Sequence, residues 1–237
     1  MINGHTVSLC MVIHDSSELC AKAISSVKEI VDEIIIVDQG SNDKDAVALK
    51  GMCDVYHRTT CKGNADYDRM FCYSLATKEF LLAMDADEVI PPETIAEIVK
   101  LFKYDFDIMW FLFTNYIYFN DKKIDIIDML GHDPHPRFWK RLAIIDGQPQ
   151  TPIIWSFEAH MMPQLRSEKQ VFNDSKFIHS RSLVNVIKTH LNRGKNINPQ
   201  AQQQERGFIK GVLDKFGVDI KKEMIALFPE LQTYLRG

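Results

Sequence analysis

Apolar positions fall into two periods along the chain, and their alternation predicts the elements. Val7-Ser8-Leu9-Cys10-Met11-Val12-Ile13, Ile34-Ile35-Ile36-Val37 and Phe80-Leu81-Leu82-Ala83-Met84 are near-continuous apolar runs. Runs of this kind predict parallel strands buried on both faces, because a half-exposed strand alternates polar with apolar. Between the first two runs, Leu19, Ala23, Ile24, Val27 and Ile30 recur at helical spacing, with Ser16 or Ser17 available as the cap. Strand, helix, strand at this pitch is a βαβ unit, whose right-handed crossover puts successive carboxyl ends on one edge. Asp45 to Lys50 predicts a short helix and Asp54 to His57 a short strand. A helix is expected from Asn64 to Thr77, and another opens at Pro91-Pro92-Glu93 and runs to about Lys103. Asp107 to Asn120 is a long β-prone segment. Lys122 to Pro163 is expected to be irregular, and the chain after Phe177-Ile178-His179 helical over Leu183 to Arg193, Gln200 to Phe216 and Lys221 to Leu235.

Each of the three apolar runs ends in acid: His14-Asp15, Asp38, and Asp85-Ala86-Asp87-Glu88. Ligands of open α/β sheets bind outside the carboxyl ends of the strands. Three acidic ends on one edge repel one another unless a cation or hydrogen-bond donors offset them. Asp85 and Asp87, two apart around the small Ala86, suit a hard ion such as Mn²⁺ or Mg²⁺ held against a diphosphate. A solvated acidic turn is the alternative for the isolated tripeptide.

Composition narrows the class. Forty-six per cent apolar and 25% charged residues are ordinary globular values, and 237 residues can bury a large core. A net charge of −4 argues against nucleic-acid binding by bulk electrostatics. The five cysteines form no CxxC pair, so reduced thiols in a cytosolic protein are expected. Neither a signal peptide nor a membrane-spanning segment is evident, and a cytoplasmic location is the expectation.

The runs ending at Ile13, at Val37-Asp38-Gln39-Gly40-Ser41-Asn42-Asp43 and at Asp85-Ala86-Asp87-Glu88 resemble the family 2 glycosyltransferases in order and spacing. Pro136-Arg137-Phe138-Trp139-Lys140-Arg141 and Glu158-Ala159-His160 are similar, more loosely, to segments of bacterial members. The resemblance implies a GT-A fold, an α/β, Rossmann-like, mostly parallel sheet flanked by helices. It implies a catalytic domain over residues 1–180, with a nucleotide-sugar half at 1–104 and an acceptor half at 105–180, followed by a helical extension at 181–237. It implies a metal-dependent, inverting transfer from a nucleoside-diphosphate sugar, UDP-linked by expectation, to a hydroxyl or thiol.

The same resemblance assigns roles. Asp38 would bind the base, with Gly40 and Ser41 in its loop, or else it caps the turn. His14 and Asp15 would lie beside the nucleoside, although relatives carry Asn-Glu there. Arg69 would approach the sugar or diphosphate, although Met70 replaces the Asn that follows it in relatives; a solvated helix face is the alternative. Asp87 would ligate the metal, Asp85 would reach it through water or bind the donor, and Ala86 would line the donor site. His179 is the candidate late metal ligand, or an ordinary hydrogen-bonded histidine. Glu158, His160 and Asp133 are the candidate general bases. Arg137, Lys140 and Arg141 either bind an anion or form the wet face of a strand. A nucleotidyltransferase and a non-catalytic sugar-nucleotide-binding module are the competing classes, the former weakened by the lack of a Gly-rich phosphate loop after the first strand. A saccharide, a peptide and a modified DNA base are all compatible acceptors.

Overall fold

A computed structural model describes residues 1–60, 65–126, 134–154, 164–193 and 199–236. The chain divides into two compact units, one of residues 1–113 and 134–178, the other of residues 114–133 and 179–237.

The first unit is the α/β body that the apolar runs predict. Its strands are β1 (Val7–Ile13), β2 (Glu33–Asp38), β3 (Val55–Arg58), β4 (Phe80–Ala83), the short β5 (Glu88–Val89), β6 (Ile108–Phe119), which continues into the other unit as far as the turn before β7 (Lys122–Asp125), and β8 (His135–Lys140). Two hairpin-like pairs follow, β9 (Ala143–Ile145) with β10 (Gln148–Gln150) and β11 (Ile153–Ile154) with β12 (Gln164–Leu165), and then the long β13 (Gln170–Ser182). The sheet order is β3-β2-β1-β4-β8-β6-β13-β5. β3, β2, β1 and β4 run parallel, whereas β8 is antiparallel to both β4 and β6. The sheet is therefore parallel from β3 to β4 and antiparallel from β4 through β8 to β6. The stretch from Lys122, expected to be irregular, carries strands, because Phe138 and Trp139 bury as a pair beside β4 and β6.

Strand pleating splits the core by residue parity. Leu9, Met11 and Ile13 with Leu82 and Met84 face one side, packed on Ala23 and Val27 of α1 (Ser17–Val27) and Ile95 and Ile98 of α4 (Pro92–Leu101). Cys10, Ile35, Val37 and Ala83 face the other, with Cys72 and Tyr73 of α3 (Asp66–Ser74). Both faces being covered explains why these runs show no polar alternation. The cap of α1 differs from expectation: the Ser16 hydroxyl donates to the His14 carbonyl, and Asp45, in α2 (Asp43–Lys50), accepts from the Ser17 amide at 3.1 Å. Cys10, Cys20, Cys53 and Cys72 are free thiols, as expected from their spacing.

The second unit is helical. Strand β7 pairs with the end of β6, and α5 (Leu183–Arg193), α6 (Pro199–Phe216), α7 (Val218–Leu227) and α8 (Glu230–Arg236) complete it. Its own core gathers Ile117, Leu183, Ile187, Ile209, Leu213 and Met224. The single helix expected from Lys221 to Leu235 is broken in two, because Pro229 cannot donate the amide that helix continuation needs. No helix among the described residues is long and apolar enough to cross a membrane.

Candidate functional site

β2, β1 and β4 are neighbours and parallel, so their carboxyl ends open on one edge of the first unit. The loops leaving β1 and β2 are tied together. Asp15 adopts a left-handed φ of 47°, its amide donates to the Ser41 hydroxyl at 2.9 Å, and its carboxylate accepts from the Asn42 amide at 2.7 Å. The His14 ring nitrogen Nδ1 lies 3.0 Å from the Gln39 carbonyl, which makes Nδ1 the donor. Gly40, at φ 76°, supplies the left-handed turn that brings Ser41 back over the end of β2.

Asp38 is fully buried beneath that turn. Its carboxylate accepts from the Ser41 amide at 2.8 Å and the Tyr56 hydroxyl at 2.5 Å, with Arg58 Nε at 3.8 Å. Burial works to raise its pKa, but the bonds from Ser41 and Tyr56 and the Arg58 charge outweigh it and hold the carboxyl below its ordinary value. The same contact, added to burial, pushes the Tyr56 phenol up to about 12. Asp38 thus braces the loop from below. Gln39 extends the tie: its side-chain amide donates at 2.7 Å to the buried Asp68 of α3, which also accepts from Thr59 at 3.0 Å.

The end of β4 is built differently. Asp85 is 28% exposed and lies between two guanidinium groups, Arg69 Nη2 at 2.9 Å and Arg137 Nη2 at 3.3 Å. Arg69 is also held by Asp66 at 2.8 Å, and is only 12% exposed, so it is not on a solvated helix face. Arg137 is buried on β8, bonds the buried Glu88, and lies over the Phe113 ring at 5.2 Å. It is therefore not on the wet face of its strand. Glu88 braces the turn as well, accepting from the Asp85 amide at 3.0 Å. Asp87 and Ala86, at the tip, are half-buried.

Sequence reasoning did not single out Asp66, Asp68, Tyr56 or Tyr73 for this edge. Only the acidic first turn of α3 signals the first two, and such turns are common for helix-dipole reasons alone. The buried Tyr73 ring packs edge-on against Trp139.

Among the described residues no group of three or more His, Cys, Asp or Glu side chains is arranged to hold a metal ion. Mg²⁺ is commonly held through one or two carboxylates and completed by phosphate oxygens. Asp87 stands two residues from an Asp85 whose charge two arginines already offset. His179 has other employment in the second unit: Arg181 Nε donates to its Nε2 at 3.0 Å, and its Nδ1 donates to Asn115 at 2.9 Å. Both ring nitrogens of His179 are thus hydrogen-bonded in this arrangement. Asp133, Glu158 and His160, the candidate bases, lie outside the described residues.

Comparison with known proteins adds to the geometry. The chain is 36% identical over 93 residues to a TPR repeat-containing protein of Synechococcus elongatus, which covers 39% of this chain and 23% of that protein. It is 34% identical over 98 residues to an uncharacterized glycosyltransferase of Rickettsia felis, covering 40% of this chain and 34% of the relative. The matches thus span about a quarter to a third of the length of these curated relatives. A solved mannosyltransferase of Pyrobaculum calidifontis in complex with GDP-Man and Mn²⁺ superposes with a TM-score of 0.39 at 13% identity, over 54% of this chain and 47% of that one. The family model for glycosyl transferase family 2 matches residues 8–167, most of the chain and all of the acidic edge. The protein belongs to glycosyl transferase family 2.

Proposed function

We propose that the protein transfers a glycosyl group, with inversion, from a nucleoside-diphosphate sugar to an acceptor hydroxyl or thiol, and that a divalent cation, Mn²⁺ or Mg²⁺, assists. Family membership supports glycosyl transfer, and the observation that carries the finer reading is the end of β4. There Asp87 stands two residues from Asp85, which two nearly buried arginines bond. Carboxylate and guanidinium at one edge suit a ligand that is itself an ion paired with a diphosphate. When bound, the cation stabilises the negative charge that grows on the departing diphosphate.

The chain's own groups divide the remaining work. Asp87 would hold the cation, and Asp85, anchored by Arg69 and Arg137, would reach it through water or bind the donor. The loop of Gly40 and Ser41, fixed over Asp38, and the His14-Asp15 loop tied to it frame the nucleoside. In the reaction the acceptor oxygen or sulfur bonds the anomeric carbon as the carbon–oxygen bond to the diphosphate breaks, its electron pair leaving with the phosphate. The acceptor proton passes to a general base, for which Glu158, His160 and Asp133 are the candidates.

The test is incubation of the full chain with Mn²⁺ and a panel of UDP-, GDP-, dTDP- and ADP-sugars, following the products. The expected result is slow release of nucleoside diphosphate, reduced about 100-fold or more in Asp87→Ala with the thermal midpoint unchanged. Release of pyrophosphate would instead identify a nucleotidyltransferase. Tight donor binding without turnover, in the presence of acceptor candidates, would identify a binding module.

A further inference from the structure

The second unit carries a half-open cavity of about 360 Å³ that the transfer reaction leaves unexplained. β6 and β13 form one wall with Asn115 and Arg181, and α6 forms another with Gln204, Glu205 and Phe208. Its polar groups are ordered by a chain of bonds. Because Arg181 Nε donates to His179 Nε2 at 3.0 Å, the imidazole proton sits on Nδ1 and is given to Asn115 Oδ1 at 2.9 Å. One contact thereby fixes the His179 tautomer, the Asn115 amide and the edge of the Arg181 guanidinium. Opposite, the His190 ring bonds Glu205 and stacks on Phe208, with centroids 4.8 Å apart and planes 28° apart. Ile117, Ile126 and Val186 supply alkyl surface.

The lining is amphoteric and planar. Arg181 disfavours a metal ion, and Glu205 disfavours a phosphate or carboxylate ligand, so neither sign of charge is selected. Amide, guanidinium and carboxylate forks match vicinal hydroxyls, each of which both donates and accepts. The aromatic and alkyl surface suits the C–H face of a ring. The volume sits at the small end of the ~300–1,000 Å³ range of small-ligand sites.

We propose that this cavity is a saccharide-binding site that takes one neutral pyranose residue. The proposal rests on the cavity's lining alone and stands apart from the transfer reading of the first unit.

The experiment titrates the ¹⁵N-labelled full chain with methyl glucoside, galactoside, mannoside and N-acetylglucosaminide, following amide resonances. At least one is expected to saturate, shifting Asn115, Gln204 and Glu205, with a dissociation constant of millimolar order or tighter. Glu205→Gln and the exposed Gln204→Ala should each weaken that binding about tenfold, with unchanged circular dichroism and unchanged release of nucleoside diphosphate. Asp87→Ala, which tests the first unit, should leave the titration as it is. No saturable shift with any pyranoside, shifts mapping outside this cavity, or unchanged affinity in both variants would overturn the proposal. So would inorganic phosphate saturating the same resonances more tightly, which would mark an anion site. Loss of donor turnover in Asp87→Ala alongside intact sugar binding separates the two proposals in one direction. Absence of any donor turnover alongside saturable sugar binding separates them in the other.

Discussion

The carboxyl ends of β2 and β4 carry the same signature, an apolar run closed by aspartate, and are electrostatically unlike. Asp38 is fully buried and satisfied mainly by neutral donors, the Ser41 amide and the Tyr56 hydroxyl. Asp85 is 28% exposed and satisfied by two guanidinium groups. A carboxylate bonded by amides and hydroxyls keeps its charge at little further electrostatic cost and stiffens a loop. A carboxylate between arginines belongs to a network whose net charge is open to change when another ion arrives. The difference assigns a holding role to the end of β2 and an exchanging role to the end of β4.

The most forceful way to break this contrast is at Arg137. Its guanidinium bonds Glu88 and Asp85 from a buried position, and Glu88 is itself only 1% exposed. Arg137→Met would leave the Glu88 carboxylate buried without its charge partner. Removing one member of such a buried pair costs about 3–5 kcal/mol. Chemical denaturation should show a loss of that size, accompanied by retreat of the turn at Asp85. A loss under about 1 kcal/mol would mean the arginine network does not hold the end of β4 and would erase the contrast.

Legibility in the sequence follows the same contrast. The parallel half of the sheet was readable because runs such as Ile34-Ile35-Ile36-Val37 are apolar on both faces, and that is a local property. The acidic edge was readable because it lies at the ends of those runs. The identity of the partners was not. Arg137 stands 52 residues from Asp85, on a strand whose Pro136 and flanking charges look like a loop. Its burial depends on Phe113 and Glu88, which sequence spacing does not bring together. Arg69, likewise, sits on a helix with no apolar neighbour in sequence that signals its burial except Met70 and Phe71. His179 follows an apolar pair, and Arg181, two residues later along the same strand, donates to its second nitrogen, a contact that the apolar pattern does not signal. The break at Pro229 was visible in principle and was overridden by the apolar period on either side.

A milder test acts on the end of β2. Tyr56→Phe removes one of the hydrogen bonds to a buried carboxylate and should cost about 1.5–3 kcal/mol. It should also change the acid limb of stability. Asp38, and Glu33 at the start of β2, are held below their ordinary values; in each, burial pushes up and is outweighed, at Glu33 by bonds from Ser8 and Thr77. A carboxyl whose folded pKa is depressed stabilises the fold above its unfolded pKa, and that contribution drains away as pH falls through the folded one. Stability of the native protein should therefore hold down to the ordinary carboxylate range near pH 4 and fall below it. Without the Tyr56 hydroxyl the Asp38 carboxyl rises toward its ordinary value, so the acid decline should be smaller and end at higher pH, and the gap between the two proteins should close as pH falls. Coincident acid limbs for the two proteins would show that Tyr56 does not determine the charge state of Asp38.

The smallest expected effect is at Gly40, and it separates the backbone's part in the β2 loop from the carboxylate's. The residue sits at φ 76°, where a side chain crowds the adjoining peptide, and Gly40→Ala should cost about 1–2 kcal/mol. The left-handed turn carries Ser41, whose amide bonds Asp38 and whose hydroxyl accepts from the Asp15 amide. Relaxing φ would draw both contacts apart together, loosening the loops after β1 and β2 while leaving Arg69 and Arg137 undisturbed on Asp85. Amide hydrogen exchange should then quicken at Asp15, Ser41 and Asn42 and stay unchanged at Asp85 and Glu88. Equal acceleration at both strand ends would show that they move as one unit, and the division into a holding end and an exchanging end would have no physical basis.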